Sequence, residues 1–138
     1  MNITVIDGQG GQMGALLVKE ILSHFDGVNL CAIGTNALAT SAMLKAGARN
    51  AATGENPVVV ACRTSDVIIG PVGIVIADAL LGEITPKMAQ AVGQARGKRI
   101  LIPMNRCDSI VAGVSFTGVS DLVADAIAKL GEIIEKLS

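Results

Sequence analysis

Gly8-Gln9-Gly10-Gly11-Gln12-Met13-Gly14 decides how the rest of this chain is read. Ahead of it, Ile3-Thr4-Val5-Ile6 has the β-branched, apolar character of a buried strand. Behind it, Ala15-Leu16-Leu17-Val18 and Ile21-Leu22 have the spacing of a helix that packs back onto that strand. Glycines at such a junction let backbone amides approach a phosphate, and the helix N-terminus adds unpaired N–H groups and a positive dipole end. The expectation is the opening of a nucleotide-binding βαβ unit in which Gly8, Gln9, Gly10, Gly11, Gln12, Met13 and Gly14 hold a cofactor, NAD or NADP. The spacing departs from G-x-G-x-x-G, because Met13 stands where the third glycine belongs and Gly14 follows it. A second reading stays open, in which the glycines serve only a tight turn and close packing of helix on sheet.

Outward from this turn, strands and helices alternate. Asn29 to Ile33 reads as a second strand, followed by a helix from Ala37 to Lys45 closed by Gly47. A short third strand near Arg49 to Ala52 leads to a brief helix, for which Asn56 is the expected cap and Pro57 the first helical residue. Asp66 to Ile69 is a fourth strand, ending at Gly70-Pro71-Val72-Gly73, with small and apolar residues continuing as a helix to about Leu81. Thr85-Pro86 starts a helix to Arg96, Arg99 to Ile102 forms a fifth strand, and Ile110 to Val114 a sixth. The connection before the sixth is too short for a parallel crossover, which predicts an antiparallel or edge strand. Ser120 to Leu137 is an amphipathic helix that covers the sheet. The chain is therefore expected to be one α/β domain over 1–138. Its architecture is three-layer and Rossmann-like, with a mostly parallel sheet of five to six strands and helices on both faces.

In such a sheet ligands lie outside the carboxyl ends of the strands. The strand ends carry Asp7 and the glycines, then Thr35 and Asn36, then Gly70, Pro71 and Gly73, then Asn105, Arg106 and Cys107. Thr35 and Asn36 stand where an acid usually grips the adenosine ribose. They read either as contacts to an NADP 2′-phosphate with Arg49 nearby, or as a helix cap. Asp7 reads as a ligand to ribose hydroxyls or Mg2+, as a general base, or as an Asx cap of its own turn. Arg106 is the candidate anchor for a carboxylate or phosphate, and Asn105 a further cofactor contact. Glu55 has no structural role that the sequence shows, and Glu83 reads as a solvated loop carboxylate.

Composition narrows the field. The 138 residues are 51% hydrophobic and 17% charged, with a mean hydropathy of +0.57. So little polar surface points to a homo-oligomer. A net charge of −1 and only two aromatic residues, Phe25 and Phe116, argue against nucleic acid as a partner. One histidine leaves little material for a metal site or a Ser-His-Asp triad. Cys31, Cys62 and Cys107 match neither a disulfide framework nor a CxxC pair. The stretch Val67 to Ala77 is too short and too broken by Gly70, Pro71 and Gly73 to cross a bilayer. A first strand entered at residue 3 without a signal-like segment predicts a cytoplasmic protein.

Gly11-Gln12-Met13-Gly14 resembles the turn of some NAD-dependent dehydrogenases such as prephenate dehydrogenase. Over a larger span the chain resembles a family of small proteins, mainly from anaerobic Firmicutes, described only as a domain of unknown function. The resemblance is carried by Val5 to Gly11, Gly34 to Met43, Ala52 to Asn56, Val67 to Pro71 and Pro103 to Cys107. It implies a cytoplasmic bacterial protein and transfers no activity. Three functions remain in view. The first is a nucleotide-binding protein for NAD(P), the second a non-catalytic oligomeric sensor or subunit, and the third a small-molecule enzyme acting on a phosphorylated or carboxylated metabolite.

Overall fold

The computed structural model describes residues 1–104, 109–114 and 118–137. In chain order the elements are β1 (Asn2–Asp7), α1 (Gln12–His24), β2 (Asn29–Gly34), α2 (Ala37–Lys45), β3 (Asn50–Thr53), α3 (Glu55–Cys62), β4 (Val67–Pro71), α4 (Pro86–Gln94), β5 (Lys98–Ile102) and α5 (Val119–Leu137). The five strands form one sheet in the order β3-β2-β1-β4-β5, and every pairing is parallel. This is a Rossmann-like α/β fold. The chain steps outward from β1 in one direction, through β2 and β3, then returns to place β4 on the other side. The direction of winding therefore reverses between β1 and β4, and folds of this kind bind ligands at the carboxyl ends beside such a reversal.

The period-2 alternation of the strands sorts their side chains into two cores. On one face Ile3, Val5, Val67 and Ile69 pack with Leu17, Val18 and Ile21 of α1, Met43 of α2, and Val123, Ile127 and Leu130 of α5. On the other, Ile6, Ile33 and Ile68 pack with Val58 and Cys62 of α3 and Met88 and Val92 of α4. A fully enclosed residue such as Leu17 contributes about 1.5–3 kcal/mol relative to exposure. Gly70 is required where β4 passes β1, because a Cβ there would lie 2.2 Å from the Ile6 carbonyl oxygen.

Four local expectations are corrected. α3 begins at Glu55, capped by Gly54 with φ of 105°, and not at an Asn56 cap with Pro57 first. Its opening acid thereby gives Glu55 a structural role, at the positive end of the helix dipole. β4 is followed by a single 3-10 turn, Val72–Val75, in place of a helix to Leu81. Residues 109–114 contain a turn at Ala112-Gly113 and no strand, so the expected sixth strand is not formed there. Finally, α4 stops at Gln94, two positions before the expected Arg96, although Thr85 does cap it and Pro86 does open it.

Candidate functional site

At the carboxyl end of β1 the chain first satisfies its own glycine turn. Asp7 is 6% exposed. Its Oδ1 accepts from the Gly8 amide at 2.8 Å and its Oδ2 from the Gly14 amide at 2.7 Å. The carboxylate thus caps the turn and the start of α1 from beneath. Burial pushes the Asp7 carboxyl above its ordinary value, the two amides pull it back, and the nearby charge of Glu83 raises it further.

Each glycine of the turn has its own task. A Cβ on Gly14 would meet Met43 Sδ at 2.6 Å and Asp7 Cβ at 2.8 Å, so this glycine lets α1 lie close to α2. Gly11 holds φ of 74° as the residue before α1, and a Cβ there would lie 2.7 Å from Ala39 Cα. Gly8 is pressed by Thr35 Oγ1, Glu83 Oε1 and Leu80 Cδ1, at 2.5, 2.9 and 2.9 Å from a Cβ position. Gly10 alone among the four faces open space, with nothing within 4 Å. Close packing therefore accounts for Gly11 and Gly14.

Above the turn lies the residue that sequence reasoning missed. Glu83 is not a freely solvated loop carboxylate. Its Oε1 accepts from the Gln9 amide at 2.9 Å, the Thr35 hydroxyl at 2.6 Å and the Asn36 carboxamide at 2.7 Å. Partial burial opposes the charge, but the three hydrogen bonds outweigh it and hold the Glu83 carboxyl below its ordinary value. Asn36 both caps and bridges: its Oδ1 accepts from the Ala39 amide at 2.8 Å, while its Nδ2 also donates to the Gln9 carbonyl at 3.0 Å. The Gly82-Glu83 pair, just before the helix start at Thr85-Pro86, carried no sequence signal beyond an ordinary loop.

The topology brings Gly8 to Gly14, Thr35, Asn36, Gly70, Pro71 and Gly73 to this one end of the sheet. A Cβ on Gly73 would be 3.3 Å from Ala79, on the segment that carries Glu83. Asn105, Arg106 and Cys107 lie outside the described residues. Arg49 precedes β3 and so sits at the amino end of the sheet, opposite the glycine turn. Burial pushes the Cys31 thiol up, and the Cys62 thiol up to about 11, so neither is a ready thiolate. Among the described residues no group of three or more His, Cys, Asp or Glu side chains is arranged to hold a metal ion. Among them, too, no helix is long and apolar enough to cross a membrane. The ion pairs seen, His24–Glu20 and Lys129–Asp125, are on helix surfaces and involve neither Asp7 nor Glu83.

Fold and site define a Rossmann-like α/β protein in which the turns after β1 and β2 meet Glu83 at the carboxyl end of the sheet. Within that class, the chain belongs to the family described as "Domain of unknown function (DUF3842)", whose sequence model matches residues 2–135. No curated protein matches the sequence. Among solved structures the chain is similar to a dodecameric FMN-dependent UbiX-like decarboxylase from Escherichia coli O157:H7. The identity is 16% and the TM-score 0.46, over 96% of this chain and 76% of the other. It is also similar to the FMN-dependent cysteine decarboxylase TvaF from thioviridamide biosynthesis. There the identity is 17% and the TM-score 0.48, over 95% and 86% of the two chains.

The expectation of NAD or NADP is corrected. Both similar structures are named as FMN-dependent enzymes. The chain itself supplies the physical reason. Glu83 takes the Gln9 amide and Asp7 takes those of Gly8 and Gly14. The Gly8 and Gly14 amides of the turn are thus committed to the buried Asp7 and are not offered to a pyrophosphate. Arg49, invoked for a 2′-phosphate, is at the wrong end of the sheet.

Proposed function

We propose that this protein is a small-molecule enzyme acting on a phosphorylated or carboxylated metabolite, with the ligand's oxyanion held by the Gln9 amide, the Thr35 hydroxyl and the Asn36 carboxamide. One observation carries the proposal. Three donors from two separate βα turns converge on a single carboxylate oxygen, that of Glu83. A surface glutamate has no need of such an arrangement, whereas an oxyanion receptor is built from it. All three donors are neutral, which suits the exchange of one anion for another beside Asp7.

The second expected class, a non-catalytic sensor, finds no specific support. Self-association is part of the proposal and is supported by large apolar side chains left in solvent, such as Leu38 at 68% and Ile110 at 96% exposure. The site residues proposed for the ligand are Gln9, Gly10, Thr35 and Asn36, with Gly8 and Gly73 shaping the crevice wall.

Isothermal titration with inorganic phosphate, succinate and FMN tests the assignment, with riboflavin as the dephosphorylated control. FMN is the cofactor named for both similar structures and enters as a phosphomonoester. Binding of at least one anion is expected; with Glu83→Ala in both chains, so that no internal carboxylate competes, Thr35→Val weakens it about tenfold by removing one charge-assisted hydrogen bond at nearly constant shape. Unchanged affinity in that variant overturns the site.

A further inference from the structure

Glu83 occupies the receptor from within the chain, and the segment that delivers it is built to leave. We propose that residues 76–84 form an autoinhibitory strap whose Glu83 carboxylate is the internal occupant of the oxyanion receptor, displaced one for one by the ligand's anionic group. The inference rests on the anion-binding function proposed above and adds its regulation.

The strap is closed on itself. The Asp78 amide donates to the Ile84 carbonyl at 2.7 Å and the Ile84 amide to the Ala79 carbonyl at 3.1 Å, which ties the neck. Within the loop, the Gly82 amide donates to Asp78 and the Glu83 amide to Leu80, both at 3.1 Å. Below the neck, Ile74 and Ile84 are each 1% exposed and anchor it in the core. A lobe held by these few short bonds is free to open at its neck once the contacts at its tip are lost.

The receptor holds the lobe down, together with the packing of Ala79 and Leu80 against the core around Ile6 and Ile74. Asp78, Leu80 and Leu81 have φ of 67°, 57° and 56°, left-handed values that non-glycine residues rarely adopt. Leu81 is 95% exposed, so burial does not fix its conformation. The contacts that offset this strain are the three hydrogen bonds to Glu83, the Leu80 side chain set over Gly8 and that apolar packing. An incoming anion that takes the same donors removes the hydrogen bonds, and the strain then favours opening. It also replaces, rather than adds to, the negative charge facing Asp7.

The strap makes Glu83 a competitor of the ligand, so its removal raises affinity. Titration of the full chain and of Glu83→Ala with inorganic phosphate and FMN is expected to show binding at least about tenfold tighter in the variant. Hydrogen exchange on the unaltered chain gives the second measurement, independent of whether the variant folds. At saturating FMN or phosphate, the amides of Gly82, Glu83 and Ile84 are expected to exchange faster. Equal or weaker binding by the variant, or exchange unchanged at saturation, overturns the strap and leaves the receptor standing. Failure of both proteins to bind phosphate, succinate or FMN overturns receptor and strap together.

Discussion

The hydroxyl of Thr35 lies 2.6 Å from Oε1 of Glu83, a residue 48 positions further along the chain. Thr35 opens the crossover that leaves β2, and Glu83 lies in the loop that follows β4, so the two meet only because β2 and β4 flank β1. The bond therefore spans the reversal in the sheet. It joins the two lips of the crevice, and its making or breaking sets whether that crevice is closed.

The pH dependence of this closure has a definite sign. Hydrogen bonding holds the Glu83 carboxyl below its ordinary 4.5, so the stabilisation it gives is present above 4.5 and is lost as pH falls through the lowered value. Asp7, facing it from the end of β1, has the opposite sign: its raised pKa favours the folded chain below its ordinary 3.8, and that contribution is lost as pH rises through the raised value. Exchange of the Gly82 to Ile84 amides, taken relative to the intrinsic rate at each pH from 6 down to about 3, is expected to accelerate as pH falls through that lowered value. In Glu83→Gln this acceleration is expected to vanish.

Asp7 is a structural cap. Asp7→Ala strands the amides of Gly8 and Gly14 in a buried turn, at a cost of roughly 2–4 kcal/mol for two unsatisfied donors. Urea denaturation at neutral pH measures it. A loss under about 0.5 kcal/mol shows that water replaces the carboxylate and that the cap is dispensable.

Two neighbouring glycines are expected to part company. Gly10→Ala meets open space and is expected to change stability by no more than about 0.5 kcal/mol. Gly8→Ala drives a Cβ to 2.5 Å from Thr35 Oγ1 and 2.9 Å from Glu83 Oε1. That clash is expected to cost about 1–3 kcal/mol and to lift the strap. Thermal unfolding of the pair, together with exchange at Gly82 to Ile84, distinguishes the two effects.

Gly70→Ala is expected to abolish folding or to cost about 3 kcal/mol or more. The obstacle is the Ile6 carbonyl, 2.2 Å from the added carbon. Backbone in the middle of a sheet cannot step aside as a side chain does. A variant that unfolds at the same urea concentration as the parent contradicts this register of β1 against β4.

Leu81→Asn is expected to stabilise the chain by about 1 kcal/mol, because asparagine tolerates the left-handed backbone that leucine holds here in full solvent. The midpoint of chemical denaturation is the measurement. An unchanged or lowered midpoint shows that Leu81 is held by something other than the closed loop.

Much of this architecture was legible from periodicity. The strands at Ile3, Leu30, Val67 and Ile100 announce themselves because buried parallel strands need short apolar runs, and α5 because a helix covering a sheet needs one apolar face. The cap at Thr85 followed from a side-chain oxygen placed before a helical segment, whereas for Thr35 and Asn36 a cap was one of two open readings, and the structure gives it to Asn36. At Val72–Val75 the same logic misled, since apolar residues lining a crevice wall resemble those of a helix.

Local sequence alone determined the alternation of strand and helix, the glycine turn and the end of the sheet at which the ligand site is proposed, because these depend on neighbours a few residues apart. Only the tertiary structure decided what fills that site. Glu83 meets Gln9, Thr35 and Asn36 through strand order, across separations on which no residue pattern reports. A loop carboxylate and an anion's partner look alike in sequence, and the donors around it make the difference.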